Sequence, residues 1–250
     1  MTSTPIPFQG INNFRDLAFA QAGHSNGIRA GKIYRADNPS KMTALDCEQA
    51  LALNIDVVFD LRDPGEMVLD QNRGSIAAER IEASLLEPGH ASPAKLGEGI
   101  KAMTRGDVSQ QSFMAPIYDL IDARKIGIWR QVFERLNQGQ TILFHCTAGR
   151  DRTGITAALI QLAMGLDTRS IIQDHVASND YLQPFYTGYL DKAEAEHGPE
   201  ARAKLADVLM IKPWMMETFL ARVNTDYGSA ENLLDLLGAD LPKIKRLYLA

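Results

Sequence analysis

Only two cysteines, Cys47 and Cys146, stand in this chain of 250 residues. Two are too few for a disulfide scaffold, and neither belongs to a set with zinc-ligand spacing, so no metal is expected. A reducing, cytoplasmic compartment suits that usage. Positive charge is also short: 26 Lys and Arg against 31 Asp and Glu give a net charge of -5. Nucleic-acid binders usually carry a basic excess, so nucleic acid is not an expected partner. The opening MTSTPIPFQG has neither the basic nor the apolar region of a secretory leader. No run approaches the roughly 18 apolar residues that a membrane span needs, so no stable membrane insertion is expected. Repeats and low-complexity tracts are missing as well.

What is present is an ordinary globular composition, 45% hydrophobic. That fraction excludes disordered and collagen-like classes. The length suits one domain over residues 1–250 with a full core. IYRA (33–36), IDVVFDL (55–61), RIEASL (80–85) and TILFH (141–145) read as strands, the second and fourth as buried ones. TALDCEQALAL (43–53) reads as a helix capped by Thr43, with Asp46 at its third position. RDPGE (62–66) is a break. Residues 86–112, rich in Gly, Pro and Ser, read as a long loop or lid. A helix is expected from about Ala115 to Leu136, and an all-round apolar one over 153–165, ended by Gly165. Helices at about 168–178, 184–196, 199–210, 214–225 and 230–237 close the chain. Interleaved strands and helices followed by helices predict an α/β fold. A mostly parallel central sheet is flanked by helices, and a lid-like helical C-terminal portion covers about 184–240. Lys243, Lys245 and Arg246 fit a solvated helix face.

One stretch departs from this ordinary pattern: HCTAGRDRTG, residues 145–154, between a buried strand and a buried helix. A helix N-terminus offers unpaired N–H groups and partial positive charge, hence an anion site. Gly149 lets the backbone of Thr147, Ala148, Gly149 and Arg150 curl inward around an anion. Arg152, in the first helical turn, has a planar fork that suits two phosphate oxygens. Cys146 lies at the mouth, where the helix end and Arg152 favour a thiolate. A thiolate under a phosphate is placed for attack on phosphorus, forming a phosphocysteine that water later hydrolyses. Asp151 is the nearest carboxyl able to protonate the leaving oxygen, and Thr153 could hydrogen-bond the departing sulfur. His145 is expected to point into the core and fix the loop.

These residues resemble a known family. Cys146 and Arg152 make the C-x5-R signature of the cysteine-dependent protein tyrosine phosphatase superfamily. The ten-residue string resembles the H-C-x-x-G-K-D-R-T-G loop of its bacterial branch with tyrosine and lipid activity. NFRDL (13–17), YRADNPSKMT (34–43), FDLRDPGE (59–66) and WMMETFLARVNTDYGSAENLL (214–234) resemble further motifs of that branch. The resemblance spans about residues 8–237 and implies the phosphatase α/β fold, with a helical portion able to cover the site. It implies no cofactor, Asp151 as general acid, and a phosphorylated protein or phosphoinositide as substrate. Arg150 stands where the branch has Lys; beside Arg152 it favours doubly charged substrates such as phosphoinositides. Asp60 and Asp63, after the second strand, are second choices for the acid, ahead of Asp119 and Asp122. Arg62 is a substrate contact or half of a salt bridge with Asp60.

Blander readings are weighed beside these. Cys47 is a small buried residue with no arginine six places on. The G-x4-G of GRDRTG lacks the Lys-Ser/Thr of a nucleotide loop. Asp151 could serve only the helix dipole. His24, His90, His175 and His197 show no partner pattern. The alternative function is a catalytically silent phosphate-recognition module. A sulfur transferase, whose loops place arginine closer to cysteine, is a further rival.

Overall fold

A computed structural model describes residues 7–18, 27–68, 76–85, 93–118 and 123–250. Five strands form one sheet in the order β1-β2-β5-β3-β4. They are β1 (Arg15–Asp16), β2 (Ile33–Ala36), β3 (Ile55–Asp60), β4 (Ala77–Glu82) and β5 (Ile142–His145). The short β1 pairs antiparallel with β2, and all other pairings are parallel. The sheet is thus the mostly parallel one expected.

β5 lies in the middle, with β2 and β3 on either side in register Ala36–His145 and Asp60–His145. All three strands end together, so the loops after them converge on one spot. Open α/β sheets place ligands at that carboxyl edge. Both faces are covered, which is why the central strands read as continuous apolar runs. Val57, Phe59, Ile142 and Phe144 enter one core cluster, with Trp129, Phe133, Ile155 and Phe219. Val58 and Leu143, one residue out of phase, enter the other, with Phe14, Tyr34 and Ala50.

The helices are α1 (Ala44–Leu51), α2 (Pro64–Val68), α3 (Pro93–Arg105), α4 (Gln110–Tyr118), α5 (Ala123–Asn137) and α6 (Asp151–Met164). They continue as α7 (Thr168–His197), α8 (Pro199–Leu209), α9 (Pro213–Tyr227), α10 (Ala230–Leu236) and α11 (Leu241–Tyr248). Thr43 caps α1 through a reciprocal box with Asp46, as the sequence implied. α6 ends on Gly165 in the left-handed conformation at φ 83°.

Several boundaries differ from expectation. Residues 86–112 are not one long loop, because α3 and the start of α4 lie within them. α3 packs against α8 and comes close to α4, where Gly99 leaves room for the Phe113 ring. The helix expected over 115–136 is divided between α4 and α5, and residues 119–122, with Asp119 and Asp122, lie outside the described ones. The third expected strand (80–85) runs instead over Ala77–Glu82, where pairing to β3 sets its ends. RDPGE holds the short helix α2, since a proline at the first helical position costs nothing. The helices expected at 168–178 and 184–196 are one 30-residue helix that continues through Pro184.

Candidate active site

The loop 146–150 joins the end of β5 to α6 and is held from outside. Asn13 Nδ2 donates to the carbonyls of Ala148 at 3.0 Å and Gly149 at 2.8 Å. Arg35 Nη2 donates to Gly149 O at 2.9 Å and Arg150 O at 3.4 Å. In a trans peptide the next N–H points opposite to the carbonyl. The N–H groups of Gly149, Arg150 and Asp151 therefore point away from these donors, into the interior of the loop. Gly149 has φ 64°, and a Cβ there would collide with the Ala36 carbonyl and lie 2.6 Å from Asp37 N. Only glycine serves at this point.

The outer donors are themselves fixed. Arg15 Nε and Arg35 Nη1 both donate to the Asp174 carboxylate of α7, at 3.0 and 2.7 Å. Arg15 also bonds Asn13 Oδ1 and Ser178 Oγ. Burial works to raise the Asp174 pKa, but the two guanidinium groups outweigh it and bring it to about 2. The NFRD segment thus clamps the loop from behind through a buried ionic network.

α1, α7, α10 and α11 open on side-chain caps from Thr43, Asp167, Ser229 and Asp240. α6 opens on Arg150 with no side-chain cap. Its first N–H groups remain available to an anion.

Cys146 follows β5 at 3% exposure. Arg152 is buried and forks onto Glu66: Nη1 to Oε2 at 2.6 Å, Nη2 to Oε1 at 3.0 Å. Burial opposes the Arg152 charge, yet the Cys146 sulfur and Glu66 raise its pKa above the ordinary value. Arg has five N–H donors, so Nε and part of the fork stay open to a ligand. Glu66 also accepts from Thr147 Oγ1 and from Asp63 N, the latter at 2.8 Å. Sequence reasoning quoted Glu66 within FDLRDPGE but gave it no role. An acid at the end of that segment, following the strand beside β5, was the available signal. Thr153 Oγ1 is buried with no hydrogen-bond partner among the described residues.

Asp151 is the first residue of α6. Its Oδ1 accepts the Tyr118 hydroxyl at 2.6 Å and its Oδ2 accepts Arg150 Nε at 3.0 Å. Burial alone would raise its pKa; the Arg150 charge and the Tyr118 hydroxyl hold it below the ordinary value instead. Arg150 also donates through Nη1 to Tyr186 OH at 3.1 Å and Leu209 O at 2.7 Å. It ties the loop to α7 and to the end of α8, where the sequence had it facing substrate.

The remaining candidates stand apart. Asp60 is fully buried, accepts from Arg62 Nη2 at 2.9 Å and also pairs with Arg80. Burial opposes its charge, but His145, Arg62 and Arg80 carry its pKa down to about 2. That favours the salt-bridge reading of Asp60 and Arg62 over an acid or a substrate contact. Asp63 Oδ1 accepts Gly65 N at 2.6 Å, which shapes the start of α2. His145 is buried, as expected, and donates from Nδ1 to the Cys146 carbonyl at 3.2 Å. Burial pushes its pKa down to about 4. His175, which shows no partner pattern in the sequence, has its Nε2 2.9 Å from the Tyr118 oxygen. A hydrophobic pattern gives no sign of such a contact. His24 and His90 lie outside the described residues.

Comparison with known proteins identifies the family. The sequence model of the tyrosine phosphatase family matches residues 6–250. A protein of Cupriavidus necator, provisionally named a tyrosine-protein phosphatase, is 28% identical over 246 residues, covering 98% of this chain and 88% of that one. The triple specificity protein phosphatase PtpB of Mycobacterium tuberculosis is 25% identical over 271 residues, 95% of each chain. Among solved structures, a variant of P. aeruginosa TpbA with phosphotyrosine has 16% identity and a TM-score of 0.31, covering 86% of this chain and 97% of that one. A match that runs from residue 6 to residue 250 takes in NFRD, the Glu66 segment and the anion loop alike, and the chain belongs to the tyrosine phosphatase family.

Proposed function

We propose that this phosphatase hydrolyses phosphotyrosine through Cys146, with the loop and Arg152 holding the phosphate and Asp151 as general acid. The observation that carries the reading is the outward anchoring of the loop carbonyls by Asn13 and Arg35, above an uncapped α6. The inward N–H groups of Gly149, Arg150 and Asp151, with those of Thr147, Ala148, Arg152 and Thr153 along the same loop and helix end, would bind the non-bridging oxygens. Arg152, braced by Glu66, would add two further donors. The negative charge of the bound phosphate beside Asp151 favours its protonated form. Cys146 Sγ attacks phosphorus as the ester P–O bond breaks, and Asp151 delivers that proton to the leaving oxygen. Water then attacks the phosphocysteine and gives a proton to Asp151. The buried Thr153 hydroxyl would stabilise the departing thiolate. No step needs a cofactor. Dual specificity is part of the proposal, in keeping with the triple specificity named for the mycobacterial relative.

Arg150 supported the phosphoinositide reading, but three of its bonds run to Asp151, Tyr186 and Leu209. The proposal therefore favours phosphotyrosine over phosphoinositide. The test is p-nitrophenyl phosphate hydrolysis with chelator present, for wild type, Cys146→Ser and Asp151→Asn. Loss of roughly 1,000-fold or more on the cysteine change, and a flattened basic limb of the pH profile on the aspartate change, are expected. A panel of phosphotyrosine peptide, phosphothreonine peptide and phosphoinositide vesicles then ranks substrates. Faster turnover of the vesicles would overturn the preference, and turnover by Cys146→Ser would overturn the nucleophile.

A further inference from the structure

We infer that Tyr118 and His175 are positioning residues for the general acid, forming a buried Asp151–Tyr118–His175 relay of hydrogen bonds. The inference rests on the proposed role of Asp151. Nothing in the motifs around the loop points to either residue. Tyr118 comes from the end of α4 and His175 from the second turn of α7, and both are buried. They meet Asp151 at the first position of α6, so three separate helices build the contact.

The hydrogens can be assigned. Tyr118 has one O–H, and the 2.6 Å contact to Asp151 Oδ1 spends it on the carboxylate. The Tyr118 oxygen is then left as acceptor for His175, 2.9 Å away at Nε2. That fixes the tautomer: Nε2 carries the hydrogen and Nδ1 is a bare lone pair. The buried Nδ1 has no hydrogen-bond partner, as a bare acceptor can tolerate better than an N–H could. Burial keeps this imidazole neutral, its pKa down to about 3. His175 therefore orients Tyr118, and Tyr118 orients Asp151.

Space for the relay is built into α6. A Cβ at Gly154 would strike the His175 ring, with Cε1 at 2.7 Å. The glycine that ends HCTAGRDRTG thus has a local reason that differs from that of Gly149. The His175 ring also lies edge-on to the Tyr118 ring, with centroids 5.8 Å apart.

A neutral donor on a carboxylate favours the ionised form. The charged neighbours of the relay are Arg150 on Asp151, Arg152 beside it, and Arg35 and Asp174 near Tyr118 and His175. None of them is altered by removing one hydroxyl. In the Tyr118→Phe variant the Asp151 carboxyl loses a donor and holds its proton to higher pH. The basic limb, set by loss of that proton, should move up by about one pH unit. The carboxyl group of the acid is also less well aimed, since one of its two anchors, Tyr118 and Arg150, is gone. On the plateau below the basic limb, where the acid holds its proton in both proteins, turnover of a poor leaving group such as phenyl phosphate should fall about tenfold, and that of p-nitrophenyl phosphate by less.

The experiment is the pH dependence of kcat/KM and kcat on both substrates. It compares wild type, Tyr118→Phe, Gly154→Ala, His175→Gln and Asp151→Asn. An upward shift in Tyr118→Phe, a smaller shift in the same direction in Gly154→Ala, and partial rescue in His175→Gln, which keeps an N–H donor, support the relay. An unmoved basic limb in Tyr118→Phe, with a limb that still vanishes in Asp151→Asn, overturns the relay and leaves the acid in place. A limb that survives in Asp151→Asn overturns the acid itself. If Tyr118→Phe misfolds by circular dichroism, the Gly154→Ala and His175→Gln profiles decide between the same two outcomes.

Discussion

Glu66 shows how a single side chain can make a motif work. Without Glu66 the fork of Arg152 would keep only its long bond of 3.4 Å to the Leu61 carbonyl. Glu66 takes both terminal nitrogens and so points the remaining donors toward the loop. It also receives Thr147 Oγ1, which ties the first turn of the loop to α2. In Glu66→Gln one oxygen becomes an amide donor, so one of the two arginine bonds is replaced by a clash of donors. Turnover, as kcat/KM on p-nitrophenyl phosphate, is expected to fall about tenfold or more, with vanadate inhibition weakened in step. Unchanged vanadate inhibition would show that Arg152 is aimed by the loop alone.

At the scale of the element, α7 links the site to the helical C-terminal portion. Asp174 and Ser178 receive the clamp arginines, His175 meets Tyr118, and Tyr186 receives Arg150, all on this one helix. Asn179 further holds Ile211 through paired bonds of 2.9 and 2.8 Å, at the turn between α8 and α9. Pro184 lies inside the helix between these groups and leaves the Asp180 carbonyl without its usual N–H partner. A proline inside a helix costs up to about 3 kcal/mol relative to alanine. Pro184→Ala should therefore stabilise the protein by about 1–3 kcal/mol in thermal or denaturant unfolding. A lower melting temperature would show instead that the proline sets the helix direction needed to bring Tyr186 to Arg150. Breaking that long helix into two was the natural reading of the sequence, because proline marks helix boundaries more often than interiors.

Over the whole molecule, buried titratable groups set how stability depends on pH. Burial depresses His145 to about 4 and His175 to about 3, so both stay neutral in the fold and take a proton once unfolded below about 6.5. Burial raises Asp37 to about 7, against the pull of Asn12 and Lys41, so its proton is held in the fold and released on unfolding. Near pH 5 the unfolded chain binds about two protons at the histidines and the folded chain about one at Asp37. Unfolding then takes up about one proton, so stability should rise by about 1.4 kcal/mol per pH unit near pH 5, with a slope that shrinks to a few tenths by about pH 6.5 as the unfolded histidines lose their protons. Above pH 7 the contributions of all three groups level off. Asp16, also raised by burial, acts in the same direction as Asp37. Denaturant midpoints at several pH values would check this; a flat or falling profile from pH 5 to 6.5 would contradict it. Asp60 and Asp174, both lowered to about 2, add their loss of stability only below their ordinary value of 3.8.

Apolar, β-branched runs were enough to reveal β3 and β5, because strands covered on both faces must be hydrophobic on both sides. The two polar residues of β1 carry no such signal, and its pairing with β2 alone makes it a strand. Cys146, Gly149 and Arg152 were legible too, because their spacing in one short loop reports local backbone geometry. What only the tertiary structure decided lies in contacts between distant segments. Glu66 reaches Arg152 across 86 positions of sequence, and Arg15 reaches Asp174 across 159. Tyr118 meets Asp151 from 33 positions away and His175 from 57. No local pattern encodes such pairs, since side-chain direction there follows from how three helices and one sheet edge close around a single loop. The sequence by itself determined which chemistry this chain carries, and the packing decided which residues hold it in place, because a hydrogen bond depends on distance in space and not on order along the chain.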